Sequence, residues 1–281
     1  MIVAVTAASG ALGAAIVRAT VALLGQEHVI AVARTPSKAE GLGVQVRAGD
    51  YDQRDQLERA FQGVDAVLLV SGMAAPDVRI GQHRNVIEAA RAAGVSKLVY
   101  TSVQGPEDGT AFSPIVQSNR QTEADVRASG LAWAIGRNGI YIEPDVEYIE
   151  TYEADGEIAN CAGDGKCGYT TRAELAFAYA RLLTEASLEG TTYRLHGEPI
   201  TQSDLAEHLR GAFGTPLAYR AMSVEAYRAE RIDALGPFLG GVIAGIYAGI
   251  RGGAYDQPSD YSAAAGRPHQ SWADYFAALA A

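Results

Sequence analysis

What most restricts this chain's fold lies at its start. The apolar run Ile2-Val3-Ala4-Val5 passes through Thr6-Ala7-Ala8-Ser9-Gly10 into Ala11–Leu24, an Ala-rich amphipathic stretch that opens Ala11-Leu12-Gly13. A second apolar run, His28–Ala33, follows and ends on Arg34. Strand, small-residue turn, helix and strand in that order make a βαβ unit. Small side chains at the turn let the backbone approach a pyrophosphate. The free N–H groups and the positive end of the helix then neutralise its charge. Thr6, Ala8, Ser9, Gly10, Ala11, Leu12 and Gly13 are the candidate phosphate-side residues. Gly-x-x-Gly alone is weak, because many tight turns use glycine; its place between a buried strand and a helix is what points to a nucleotide.

The end of the second strand decides which nucleotide. A carboxylate there would hold a ribose 2′-OH, as NAD requires, but the position carries Arg34, with Lys38 one helical turn on. Two cations and no carboxylate suit a 2′-phosphate, so NADP(H) is the expected cofactor. The plainer alternative is a pair of solvated surface cations.

Further along, apolar runs and helical patterns alternate. Val44–Arg47 reads as a strand closed by Gly49-Asp50-Tyr51, where Asp50 either accepts from an adenine amino group or caps a turn. Helix Gln53–Phe61 precedes strand Asp65–Val70, which ends on Ser71-Gly72. Helix Asp77–Ala93 precedes strand Lys97–Thr101, with Ser102 and Val103 just beyond it. Helix Ser113–Ser129 precedes strand Leu131–Ile135, which runs into Asn138 and Tyr141. This alternation predicts an α/β fold, a doubly wound parallel sheet of Rossmann type. Ligands bind such sheets at the carboxyl ends of the strands, so Ser71, Gly72, Thr101, Ser102, Val103 and Asn138 join Arg34, Lys38, Asp50 and Tyr51 as cofactor candidates. Beyond residue 140 the pattern loosens into an acidic stretch, a turn-rich loop Gly163–Gly168, helix Thr171–Glu185, strand Thr191–Leu195, then short helices, loops and a Gly-rich stretch. The expected division is a cofactor-binding domain over 1–140 and a smaller mixed substrate region over 141–281, with 171–195 packing back on the first.

Composition closes off other classes. The net charge of −10 argues against nucleic acid and against an anionic membrane surface. The most apolar stretch, Leu235–Ile250, is interrupted by Pro237 and five glycines and is too short to span a bilayer. Met1 leads straight into the first strand with no signal-peptide pattern, so a cytoplasmic location is expected. Cys161 and Cys167 are the only cysteines; reduced thiols are expected, with a bridge between them left open. No metal site is expected.

Taken together, several stretches resemble the NmrA-like group of atypical short-chain dehydrogenase/reductases. Within that group the chain is most similar to the type 2 quinone oxidoreductases and the triphenylmethane reductases. They are the N-terminal turn, Val32–Ala39, Gly49–Tyr51, Gln82–Ile87 with Ala89–Val95, Tyr100–Ser102, Arg137–Tyr141, and Ala162–Lys166 with Thr171-Arg172. The similarity covers nearly the whole chain and weakens after about Thr201. Two departures stand out. Ala7 replaces the family's first turn glycine, which is harmless at negative φ and strained otherwise. Asn119 stands before Thr122-Glu123 where the family often has His.

The usual dehydrogenase pair Tyr-x-x-x-Lys is missing. The three lysines are Lys38, Lys97 and Lys166, and four residues before them stand Arg34, Ala93 and Ala162. That disfavours simple ketone reduction but not hydride transfer to an acceptor that tolerates negative charge. The resemblance implies NADPH-dependent reduction of a quinone-like small molecule. Asn138 orients the cofactor amide or the acceptor, or is a turn Asn; Tyr141 stacks on a flat acceptor, or is core. The reading of a different class is a non-catalytic NADP(H) sensor of the NmrA type, which could dispense with the Tyr–Lys pair. A homodimer is left open.

Overall fold

The computed structural model describes residues 1–280. Seven parallel strands form the central sheet: β1 (Val3–Val5), β2 (Val29–Ala33), β3 (Gln45–Ala48), β4 (Ala66–Leu69), β5 (Lys97–Val103), β6 (Ala132–Asn138) and β10 (Thr191–Leu195), in the spatial order β10-β6-β5-β4-β1-β2-β3. Three short strands between β6 and β10 in sequence, β7 (Ile140–Tyr141), β8 (Glu157–Asn160) and β9 (Tyr169–Thr170), belong to separate ribbons, as does β11 (Ala218–Ala221) after them. The strand order reverses at β1: the chain moves outward through β2 and β3, then crosses back to lay β4 on the other side of β1. A crevice opens at the carboxyl ends of strands at such a reversal.

The central strands are fully buried, as a sheet covered on both faces requires. On one face Val3, Val5, Ala31 and Leu68 pack with α1 (Ala11–Leu24) and with α7 (Arg172–Thr184). On the other, Ala4, Val32, Leu69 and Leu98 pack with α2 (Arg54–Ala60), α3 (Pro76–Ala92) and α4 (Ser113–Arg127). Residues 172–195 thus supply both a covering helix and the edge strand beside β6.

Two stretches are more regular than their sequence predicts. The acidic stretch after Tyr141 forms α5 (Glu143–Glu147), α6 (Ile149–Asp155) and β8. The Gly-rich stretch is a 15-residue helix, α10 (Pro237–Arg251), antiparallel neighbour to α9 (Val224–Leu235). Its glycines are contact surfaces rather than breaks. A Cβ on Gly240 would come within 2.2 Å of the Arg231 carbonyl oxygen, and one on Gly245 within 2.6 Å of the Phe112 amide. Packing of α10 against the loop after β5 overrides the low helix propensity of glycine. With α8 (Gln202–Phe213) and α12 (Trp272–Leu279) these elements enclose a third core around Ile142, Tyr169, Leu209, Ile250 and Trp272, while α11 (Tyr261–Ala265) packs in the first core against α7 and β10. Cys167 is buried in this third core and Cys161 in a small adjoining cluster with Tyr227 and Ala244, and the two are unbridged. Among the described residues no helix is long and apolar enough to cross a membrane, and no cluster of His, Cys, Asp and Glu could hold a metal.

Candidate active site

The turn after β1 brings a helix end to the sheet edge. Thr6 is fully buried: its Oγ1 lies 2.5 Å from Tyr51 Oη and accepts from the Val70 amide at 3.0 Å. Thr6 therefore clamps β1, β4 and the turn after β3 together from inside. Ala8 is also fully buried, its amide donating to Val32 O. Ser9, Gly10 and Ala11 are exposed. Ala7 has φ +49°, the left-handed conformation in which a side chain costs roughly 1–2 kcal/mol, so the substitution for glycine leaves this turn strained. Gly13 is needed for close approach, because a Cβ there would lie 2.4 Å from Ala7 O. Gly10 is the N-cap residue of α1 and no side chain caps the helix. The amides of Ala11, Leu12 and Gly13 have no acceptor among the described residues. Three unpaired donors at the positive end of a helix are what a pyrophosphate needs.

Beside this turn lies a cleft of about 440 Å³, at the carboxyl ends of β1–β4. Arg34 and Lys38 are exposed on its wall, and neither is ion-paired among the described residues. Asp50 takes the turn-capping role of its two expected ones. Its Oδ1 caps the turn by accepting from the Asp52 amide at 3.1 Å, and the residue also lines the cleft. Tyr51 is pinned by its hydroxyl donating to Val70 O at 2.8 Å, with its ring edge-on to His83. The far wall is Ser71, Gly72, Met73 and Gln82. Sequence patterns did not single out Met73 or Gln82; Gln82 lay within a stretch carrying the family resemblance.

The Ser71–Gly72 wall is held from behind by buried polar groups. The Ser71 amide donates to Thr101 Oγ1 at 2.8 Å, and Ser71 Oγ donates to Asn119 Oδ1 at 3.1 Å. Tyr100 Oη donates to the same oxygen at 2.6 Å. Gly72 N donates to His83 Nε2 at 3.0 Å, so the ring proton is on Nδ1, which meets Thr122 Oγ1 at 2.9 Å. Burial, and secondarily the Arg79 cation, pushes the His83 pKa down to about 3. His83 is a neutral strut.

β5 and β6 stay paired further than the sequence pattern indicates, with Ser102 opposite Arg137 and Val103 opposite Asn138. Ser102 therefore lies inside a strand, its hydroxyl donating to Glu123 Oε1 at 2.7 Å. It faces α4, so its side chain is committed to the protein interior. Asn138 is buried, its Oδ1 accepting from Tyr179 Oη at 2.6 Å, and its Nδ2 lies 3.5 Å from Tyr141 Oη. Burial raises the Tyr141 pKa, against the hydrogen bond from Asn138 and the Arg172 cation, whose Cζ is 5.6 Å from the ring centroid. Tyr179 and Arg172, both on α7, are the site neighbours that strand-end reasoning missed, because they come from a helix assigned to scaffolding. No lysine stands here. Lys97 is buried at the opposite end of β5 against Glu189, and Lys38 is on the cleft wall.

Residues 7–186 match a family model described as NAD(P)H-binding. Quinone oxidoreductase 2 of Escherichia coli strain K12 is 33% identical over 279 residues, covering 97% of this chain and 96% of that one. A crystal structure of an NADPH-dependent quinone oxidoreductase from Escherichia coli, complexed with NADPH, superposes with a TM-score of 0.90 at 32% identity over 99% of each chain. The Citrobacter sp. triphenylmethane reductase complexed with NADP(H) gives 0.89 and 32% over 100% of both. The uncapped helix end, the unpaired cations of the cleft and this full-length similarity agree: the chain belongs to the NAD(P)H-binding oxidoreductase family that includes quinone oxidoreductase 2.

Proposed function

We propose that the chain is an NADPH-dependent reductase that passes a hydride to a quinone or similar flat, conjugated acceptor without a Tyr–Lys pair. The observation that carries this is the pairing of two unpaired cations, Arg34 and Lys38, on the cleft wall with a lysine-free set of strand ends around Asn138. The cations suit a 2′-phosphate, and the relatives named above are described as acting with NADPH or NADP(H) on quinones and dyes.

When bound, the reduced nicotinamide supplies the hydride. The amides of Ala11, Leu12 and Gly13 would hold the pyrophosphate, Arg34 and Lys38 the 2′-phosphate, and Asp50 and Tyr51 the adenine side. Ser71, Gly72, Thr101 and Val103 would border the nicotinamide. Asn138 and Tyr141 meet the acceptor. Tyr141 keeps its proton at neutral pH and donates a hydrogen bond to an acceptor oxygen on which negative charge develops. A quinone spreads that charge over its ring, which replaces much of the work of a strong acid, and the quinol's second proton comes from solvent.

Single-turnover oxidation of 4-deuterated NADPH with menadione tests this. An isotope effect on the fast phase, and a slower phase in Asn138→Ala with unchanged NADPH affinity, are expected. Tight NADPH binding without oxidation faster than buffer across a panel of quinones and dyes would replace the enzyme with an NADP(H) sensor.

A further inference from the structure

Away from the cofactor cleft, a second cavity of about 160 Å³ lies where β5, β6 and β10 end, lined in part by Gln104, Glu107, Arg120, Arg137 and Arg194. The sheet register builds it. Arg137 and Arg194 are partners across the β6–β10 pair, so both side chains leave the same face. Helix α4 lays Arg120 over that face.

Its charges do not balance. Fully buried Glu123 accepts from Arg120 Nη1 at 2.9 Å, from Arg127 Nη2 at 2.9 Å, and from Arg137 Nε and Nη2 at 2.8 and 2.7 Å. Glu107 takes Arg120 Nε at 2.7 Å, and Asp260 only approaches Arg194, at 3.7 Å. Four guanidiniums thus meet three carboxylates, which leaves one positive charge in excess on a chain whose net charge is −10. Arg137 Nη1 and Arg120 Nη2 donate to nothing among the described residues, and neither does the Arg194 guanidinium by a hydrogen bond.

Gln104 adds a second demand. It is 4% exposed, and its Oε1 is buried with no hydrogen-bond partner. An orphaned buried acceptor is costly and calls for a donor. The cavity therefore brings several guanidinium donors to a lining residue, Gln104, that carries an unsatisfied amide acceptor. A bare anion answers only the first; an oxyanion that keeps a proton answers both.

We propose that this cavity binds a protonated oxyanion, of which hydrogen phosphate, free or as a monoester, is the simplest that fits. Guanidinium forks match phosphate oxygens in pairs, and the remaining P–O–H donates to Gln104. The site lies one residue from the reaction end, since the Gln104 amide donates to Asn138 O at 2.9 Å. It does not depend on the reductase reading.

Inorganic phosphate, methyl phosphate and sulfate, titrated calorimetrically at matched ionic strength, test the site. The full chain is used with saturating NADP⁺, and again as the Arg34→Ala/Lys38→Ala double variant, so that phosphate at the cofactor end does not count. One equivalent of phosphate is expected in both, at least tenfold tighter than sulfate. Arg194→Gln should weaken phosphate at least tenfold, and Gln104→Leu should reduce it to the level of sulfate. Methyl phosphate should bind below its second pKa, about 6, and weaken above it, while inorganic phosphate, which keeps a proton, binds on both sides. Equal affinity for all three anions, no binding beyond a chloride control, or phosphate affinity untouched by Arg194→Gln would each overturn the proposal.

Discussion

Tyr179, on a helix packed beneath the sheet, donates its hydroxyl to Asn138 Oδ1 at 2.6 Å. The amide of Asn138 is thereby turned so that its nitrogen faces Tyr141. A residue 41 positions away in the scaffold thus fixes the direction of a polar group beside Tyr141. Tyr179→Phe should lower kcat for quinone reduction roughly 2- to 12-fold, the value of one neutral hydrogen bond, while NADPH affinity measured by fluorescence stays unchanged. Loss of NADPH affinity in step with kcat would mean that Tyr179 only supports the fold.

Among the described residues Arg34 has no side-chain partner to lose, so its removal reads out on the ligand alone. Arg34→Ala should weaken NADPH by about 1.5–3 kcal/mol, a charge-assisted contact, and leave NADH nearly unchanged by calorimetry. Equal losses for both cofactors would remove the 2′-phosphate assignment.

The strained turn makes an opposite prediction. Ala7→Gly relieves roughly 1–2 kcal/mol of left-handed strain and gives back roughly 0.4–1 kcal/mol of chain entropy in the unfolded state. The variant should therefore be modestly more stable in urea. Gly13→Ala, whose Cβ would press on Ala7 O, should cost about 1–3 kcal/mol and weaken cofactor binding with it.

The neutral strut predicts a pH dependence. The pKa of His83 is about 3 in the folded protein, against about 6.5 unfolded. As pH falls through 6.5, the unfolded chain takes up a proton that the folded one refuses. The His83 contribution is present above pH 6.5 and is lost toward pH 3, with a slope approaching about 1.4 kcal/mol per pH unit. Between pH 6 and 5 the urea stability of His83→Gln should fall less steeply than that of the parent by that slope. Parallel curves would show that His83 is charged in the folded state.

The parts of this architecture that follow from local periodicity were legible in the sequence: the β1–α1–β2 unit, the strand ends, and the cations at Arg34 and Lys38. Side-chain direction at those strand ends was not. Ser102 was expected in the cofactor cleft, and pairing with β6 two residues further than the apolar run extends turns it toward Glu123. Thr6 was expected beside the phosphate and is an internal clamp, because its hydroxyl can satisfy groups on two neighbouring strands at once. Tyr179, Arg172 and the arginine cavity depend on how segments distant in sequence come together, Tyr179 with Asn138, Arg172 with Tyr141 and Arg194 with Arg137, which no local pattern encodes. The helix α10 was hidden for the opposite reason: its glycines look like breaks until the backbone they touch is known.

The pairing of β10 with β6 also bears on how the chain is made. More than fifty residues separate Asn138 from Thr191, so during synthesis β6 stays an open edge until that whole segment has emerged. An unpaired parallel strand in a nascent chain is a template for association with its neighbours. Cleavage or premature release anywhere between the two strands would leave that edge permanently bare, and such fragments should precipitate even though β1 to β6 are all present.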